Sequence, residues 1–336
     1  MATISDVAKK AGVSIATVSY VLNGRTDLVR EETAERIRRA AEELSYSASP
    51  MARGLATGSS YTVAVVLPHH YVFSHPIGSQ EFLGVAEEFY LSNYSMLIKP
   101  SYEDERKMRR AHTPIPKYVA GVLVLGPMNP DNRDLVEARE LNKPIVVLED
   151  VPEEWELTRV NADNYRAARM VTEHLIDQGH TSIGFICQST VSACIGRRLD
   201  GCKDSFASRG LEWNSALLYD VDTSYDEEIQ QAAEELIESP LKPTAMVALS
   251  SAMMPGVAAA INVKGVKVPE ELAVGCVDYG MPGDFHANWP IVTLSLDLRA
   301  QGELAARTLI EMLKNKKKFT ESRYIVPELL ITEPSP

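Results

Sequence analysis

Between Thr3 and Gly24 the chain reads TISDVAKKAGVSIATVSYVLNG, a segment crowded with small hydroxyl and amide side chains. Ser5, Ser14, Thr17, Ser19 and Asn23 can donate hydrogen bonds to phosphate oxygens, contacts that fix register but carry little base information. Ile15, Ala16 and Tyr20 project outward from the second half of the segment. The first two suit thymine methyl groups, and the third offers one hydroxyl and a ring. Other chemistries are poorly supplied. Ser250-Ser251 lacks the G-x-S-x-G elbow of a hydrolytic nucleophile. Seven histidines, His174 and His180 among them, show no H-E-x-x-H or comparable spacing. Cys187, Cys194, Cys202 and Cys276 form no C-x-x-C pair and read as buried or half-buried reduced thiols. His180, after Gly179, reads as a helix-to-strand turn residue. Neither an enzyme nor a metal site is predicted, and no cofactor is implied.

The hydroxyl-bearing segment needs helices to aim it. Ser5 is a candidate cap for a first helix with Val7, Ala8 and Ala11 on its apolar face, stopped at Gly12. Ser14 can cap a second, Ile15 to Leu22, ended by Asn23-Gly24. The turn between them, Gly12-Val13-Ser14, has the length of a helix-turn-helix, with Ala8 and Val18 at the close approach. A third helix is expected from about Glu31 to Ser45, burying Ala34, Ile37, Ala41 and Leu44 at 3-4-3 spacing. Residues 47–60, SASPMARGLATGSS, have linker composition, with a short helical stretch possible at Met51 to Ala56.

From Tyr61 the pattern changes to apolar strand-like runs alternating with helical segments, from Thr62–Pro68 through a final strand at Tyr324–Ile331. Continuous apolar strands between helices indicate parallel sheets covered on both faces. Some 270 residues of this favour two lobes over one, with ligands expected beyond the carboxyl ends of the strands. The lobes are placed at about 61–161 plus 293–320 and 162–292 plus 321–336. Charge is divided unevenly. Residues 1–60 carry eight basic and seven acidic side chains, net +1, whereas the remainder is −13 of the total −12. An acidic body resists lying on DNA, which confines contact to the head. No apolar run suggests a signal peptide or membrane span, so a cytoplasmic location is expected.

The head segment resembles the lactose-repressor (LacI/GalR) family, whose pattern is nearly T-I-x-D-V-A-x-x-A-G-V-S-x-x-T-V-S-x-V-L-N-G. The resemblance continues along the chain: Glu31-Glu32-Thr33 through Leu44-x-Tyr46, Asp163-Asn164 with Ala167-Ala168, His174-Leu175 to Gly179-His180, Arg198-Leu199-Asp200-Gly201, Pro269-Glu270-Glu271-Leu272 and Pro290-x-x-Thr293. It implies a helix-turn-helix headpiece over 1–46, a hinge over 47–60 and a periplasmic-binding-protein-like sensor over 61–336. The implied protein is a transcriptional regulator, a repressor ahead of an activator, binding a palindromic double-stranded operator as a homodimer under a small-molecule effector. Met51-Ala52-Arg53-Gly54-Leu55 resembles the family's hinge helix. There Ala52 and Arg53 would meet the minor groove and Leu55 would wedge between base pairs.

In the sensor, the resemblance makes Arg198 and Asp278 effector contacts, although a buried Arg and Asp can equally pair with each other. Tyr71 and Phe73 either line the cleft mouth or are exposed loop aromatics. The sequence departs from the family in three places. Tyr20 stands where an arginine is common. Ser250-Ser251 replaces an Asn-Asp pair, which removes two strong polyol-binding groups. Cys276 stands where a glycine is usual. A sugar-like effector remains the family default, with a different or lost effector as the alternative. A secreted solute-binding protein would share the lobes but needs a signal peptide and no headpiece.

Overall fold

The computed structural model describes residues 2–22, 28–46, 60–68, 76–101, 113–126, 132–148, 151, 155–188, 193–221, 226–280, 285–316 and 320–334. The chain divides into two compact units, one reaching Thr62 and one from Val63 onward. The smaller holds α1 (Ile4–Ala11), α2 (Ile15–Leu22) and α3 (Glu31–Glu43). Thr3, not Ser5, caps α1. Its hydroxyl accepts from the Asp6 amide while the Asp6 carboxylate accepts from the Thr3 amide at 2.8 Å, a reciprocal box that Ser5, two residues on and already inside the helix, does not make. Gly12 ends the helix at φ 64°, a left-handed conformation that favours glycine. Ser14 does start α2, its Oγ accepting from the Thr17 amide at 3.1 Å. α3 stops at Glu43, short of Ser45, which lies at φ 46°. The shared core is Val7, Ala8, Ala11, Val18, Val21, Ala34, Ile37, Ala40 and Ala41, with Leu44 only half-buried.

The larger unit contains two sheets. The first is built from β1 (Thr62–Pro68), β2 (Ser95–Ser101), β3 (Val122–Leu125), β4 (Ile145–Leu148), β5 (Thr158–Ala162) and β11 (Ser322–Ile325), in the order β11-β5-β4-β3-β1-β2. The second contains β6 (Ile183–Cys187), β7 (Leu218–Asp220), β8 (Ala245–Ala248), β9 (Ala273–Cys276), β10 (Val292–Ser295) and β12 (Glu328–Ile331), in the order β12-β10-β9-β8-β6-β7. The pairs β1–β3, β3–β4, β4–β5 and β5–β11 are parallel, as are β7–β6, β6–β8, β8–β9 and β9–β10; β12 is antiparallel to β10. Alternate residues of β1 show why these strands read as unbroken apolar runs: Val63, Val65 and Leu67 pack on one face and Ala64 and Val66 on the other, each face closed by its own cluster.

Helices α4 (Pro76–Leu91), α5 (Arg133–Glu140) and α10 (Leu298–Asn315) belong with the first sheet. Helices α6 (Asn164–Asp177), α7 (Ala193–Ser208), α8 (Asp226–Ile237) and α9 (Met254–Lys264) belong with the second. The crossings between lobes differ from those read in the sequence. β10, through Ser295, stays in the second sheet, and residues 322–325 pair with β5 in the first instead of joining the second lobe. The expected single strand Tyr324–Ile331 is two strands in two sheets. Pro327 lies between them, and having no amide hydrogen it cannot continue a ladder. β5 and β10 carry only weak local signals, because TRVNA and VTLS are short and partly polar.

α4 and α10 approach through two glycines. A Cβ on Gly84 would lie 2.0 Å from the Arg299 carbonyl oxygen, and one on Gly302 would lie 2.0 Å from that of Glu81. Neither backbone can retreat without lifting α10 off β4 and β5. Gly302→Ala is therefore expected to cost the larger unit about 2–3 kcal/mol, at the upper end of overpacking, in urea denaturation; a change below about 0.5 kcal/mol would contradict this packing.

Candidate functional site

The headpiece shows two differently built sides of α2. Val18 and Val21 are buried against α1 and α3, which fixes the helix in rotation. That leaves Ile15 at 50% exposure, Tyr20 at 39% and Ala16 exposed on the other side, as the sequence predicted. Arg36 clamps α3 to the end of α1 by donating from Nε to the Ala11 carbonyl at 3.0 Å. Ser14 Oγ and Thr17 Oγ1 lie 2.8 Å apart. Two hydroxyls sharing one bond keep one hydrogen between them for an outside acceptor such as a phosphate. Ser5 is exposed and Ser19 half-buried. Asn23 lies outside the described residues, as do Ala52, Arg53 and Leu55 of the hinge and Tyr71 and Phe73. The hydrogen bonds from Thr3 hold the Asp6 carboxyl below its ordinary value. The stabilisation from that group is therefore present at neutral pH and is lost as pH falls through the lowered value.

In the sensor, Arg198, Asp278 and Ser251 converge at the carboxyl ends of β8 and β9, with Ser250 beside them. Arg198 is 6% exposed and makes five contacts of three kinds. Its Nε donates to Asn164 Oδ1 at 2.9 Å, and Nη1 donates to the carbonyls of Leu249 (2.8 Å) and Val277 (2.6 Å). Its Nη2 stands 3.7 Å from Asp278 Oδ1, and the guanidinium lies 5.6 Å from the centre of the Tyr279 ring. Asp278 is equally occupied. Oδ2 accepts from the Ser251 amide (2.8 Å), Ser251 Oγ (2.9 Å) and Ser250 Oγ (3.3 Å), and Oδ1 accepts from the Tyr279 amide at 3.0 Å. Burial is the largest influence and opposes the Arg198 charge, but the Asp278 carboxylate, with Cys194, Tyr279 and Cys276 adding to it, raises the arginine above its usual value.

The pairing left open in the sequence is thus realised: Arg198 and Asp278 form a buried ion pair. Ser250-Ser251 turns out to supply the donors that occupy the aspartate. Asn164 and Tyr279 complete the network, the Tyr279 hydroxyl donating to Asn164 Oδ1 at 3.3 Å. Neither was picked out as a site residue, although Asn164 sits in the Asp163-Asn164 motif; only folding brings it to Arg198, 34 residues away. Burial, with the Asp278 charge second, pushes the Cys276 thiol up, and burial alone leads in lifting Cys202 to about 12. No cluster of His, Cys, Asp or Glu suited to a metal occurs among the described residues.

Comparison with known proteins agrees with both halves. The model described as bacterial regulatory proteins, lacI family, matches residues 3–49, and the periplasmic binding protein-like domain matches 172–333. The chain is 29% identical over 334 residues to the HTH-type transcriptional repressor PurR of Mannheimia succiniciproducens, covering 98% of each protein. It is also 29% identical over 331 residues to that of Glaesserella parasuis, covering 98% of this chain and 95% of that one. Among solved structures it is similar to a transcriptional regulator CelR–cellobiose complex (TM-score 0.68, 24% identity, 100% of each chain). It is likewise similar to the Lac repressor bound to ONPG in the repressed state (TM-score 0.70, 20% identity, 98% of each chain).

Two measurements follow from this geometry. Asp278→Ala strands a buried guanidinium and should cost about 3–5 kcal/mol in chemical denaturation; a cost under about 1 kcal/mol would mean the carboxylate is not engaged as described. In the native chain near pH 8, Cys187, Cys202 and Cys276 are buried and should resist Ellman's reagent, leaving half-buried Cys194 to react first.

Proposed function

The chain belongs to the lacI family of bacterial regulatory proteins, and on that premise we propose that it represses transcription as an operator-binding dimer switched by a small molecule. The observation that carries the DNA-binding half is α2: one side is locked into the headpiece core while Ile15, Ala16 and Tyr20 stand out on the other. Such a helix seats its first turns in the major groove, where Ile15 and Ala16 meet thymine methyls and Tyr20 offers one hydrogen bond. Ser5, Ser14, Thr17, Ser19 and Asn23 supply phosphate contacts, and Ala52, Arg53 and Leu55 work in the minor groove at the centre of the site. Repressor function, in preference to activation, draws support from relatives named as repressors over 98% of this chain.

A headpiece of net charge near +1 binds weakly alone, so tight binding calls for two. The larger unit offers a face for pairing. Leu83, Tyr90 and Leu91 lie along one side of α4 at 52%, 80% and 68% exposure, and Ile98 on the adjacent β2 is 50% exposed. The effector enters at the carboxyl ends of the second sheet. Solved relatives carry cellobiose and ONPG, which favours a sugar-like ligand. Because Asp278 and Arg198 are already bonded within the protein, that ligand must exchange internal bonds for its own. Arg198 Nη2, with its 3.7 Å partner, is the easiest nitrogen to redirect. The switch then needs only a difference in affinity between two lobe arrangements. Acting on the chromosome places it in the cytoplasm; no helix among the described residues is long and apolar enough to cross a membrane.

Selection of random duplexes by the full chain at modest salt should enrich a palindrome with half-sites about one helical turn apart. Failure to enrich any motif would end the reading. Tyr20→Arg should then change the preferred base at one position of each half-site toward guanine, by about 1–3 kcal/mol of discrimination. Leu83→Glu with Tyr90→Glu should give monomers in light scattering and weaken operator binding at least about tenfold.

A further inference from the structure

At the end of the second sheet opposite Arg198 and Asp278, the residues entering β6 and those leaving α7 enclose a crevice of about 520 Å³, within the range of about 300–1,000 Å³ typical of small-molecule sites. Its construction is specific. Gly210 turns the chain at φ 66°, and the Leu211 amide returns to the Phe206 carbonyl at 2.9 Å. The following residues then lay Trp213 over the sheet. The indole packs 4.7 Å from the Phe185 ring and edge-on to Phe206 at 5.5 Å and 82°. Phe185 and Phe206 are 1% and 3% exposed, so they brace the indole rather than offer surface of their own.

The rim is polar, and among the described residues it carries no basic side chain. Asn214 Oδ1 is taken by the Ala216 amide at 3.0 Å, which leaves the amide nitrogen as the donating end. Ser182 Oγ is committed to the Leu241 carbonyl at 3.2 Å. Glu212, Thr181 and Ser215 are exposed along the opening. One braced aromatic face, one carboxylate and a set of hydroxyl and amide groups match a ring that is apolar on one side and hydroxylated at its edge. An anion finds no cation here. An organic cation needs several accessible aromatic faces, and only Trp213 is half-buried rather than buried. We propose that this crevice is a second ligand site, separate from the effector position at the other end of the strands, and that it takes a neutral polyhydroxylated ring such as a monosaccharide or its glycoside. The indole stacks on the sugar's C–H face, and Glu212 and Asn214 bond its hydroxyls.

The test uses methyl β-D-glucopyranoside as probe and the full chain. Saturation-transfer NMR should show magnetisation passing to the pyranose C–H protons, and Trp213 emission should change saturably in a Trp155→Phe/Trp289→Phe background. Glu212→Gln, an exposed substitution, should weaken the probe about tenfold, the loss of one charged hydrogen bond. Trp213→Ala should lower the saturation transfer to whatever the effector position contributes, with circular dichroism confirming the fold, while Ser250→Ala at the other end of the sheet should leave the Trp213 emission response unchanged. No saturable response up to about 100 mM, where binding of about 1.4 kcal/mol would already register, overturns the proposal. So does a response that survives Glu212→Gln at full strength or disappears with Ser250→Ala.

Discussion

A single buried guanidinium organises the carboxyl ends of the strands in the second lobe. Arg198 reaches from α7 to the start of α6 and to the carbonyls that follow β8 and β9, so four segments far apart in sequence end on one planar group. A fork with five donors is suited to this, because it bonds in several in-plane directions at once and cannot lose its charge. Asp278 makes the burial tolerable. Without a carboxylate nearby, a charge at 6% exposure would be costly; with one, removing either partner becomes costly instead. The lobe therefore presents a preorganised, internally satisfied floor, and any ligand placed there would compete with bonds the protein already makes.

The same logic governs the headpiece at smaller scale. It has few buried side chains, most of them alanine and valine, so caps and turns carry a larger share of the definition. The Thr3–Asp6 box, the left-handed Gly12 and the Ser14 cap set where α1 and α2 begin and end. Arg36 ties α3 back to that turn. The outcome is a short helix with a fixed rotation, which is what reading base edges demands. The excess acidic charge stays in the larger unit, so the headpiece is the part that an anionic duplex repels least.

The two lobes share a strand order and differ in how their edges are finished. In the first, β11 adds in parallel beside β5; in the second, β12 adds antiparallel beside β10. Both come from one ten-residue stretch that Pro327 divides, so the last part of the chain stitches the lobes together. Helix α10, begun after β10 leaves the second sheet, returns to pack on the first through the paired notches at Gly84 and Gly302.

Much of this was legible in the residues alone. The 3-4-3 spacing of α3, the unbroken apolar runs of β1, β3 and β4, and the turn at Gly12 are local signals, each decided by neighbours within a few positions, and so is the outward placing of Ile15, Ala16 and Tyr20. Which hydroxyl caps α1 was misread because Thr3 and Ser5 both suit the role and only the partner at Asp6 separates them. The lobe crossings, the split final strand and the engagement of Asp278 by Ser251 could come only from the tertiary structure. Each depends on which distant backbone offers a donor or an edge, and composition and spacing hold no record of that distance.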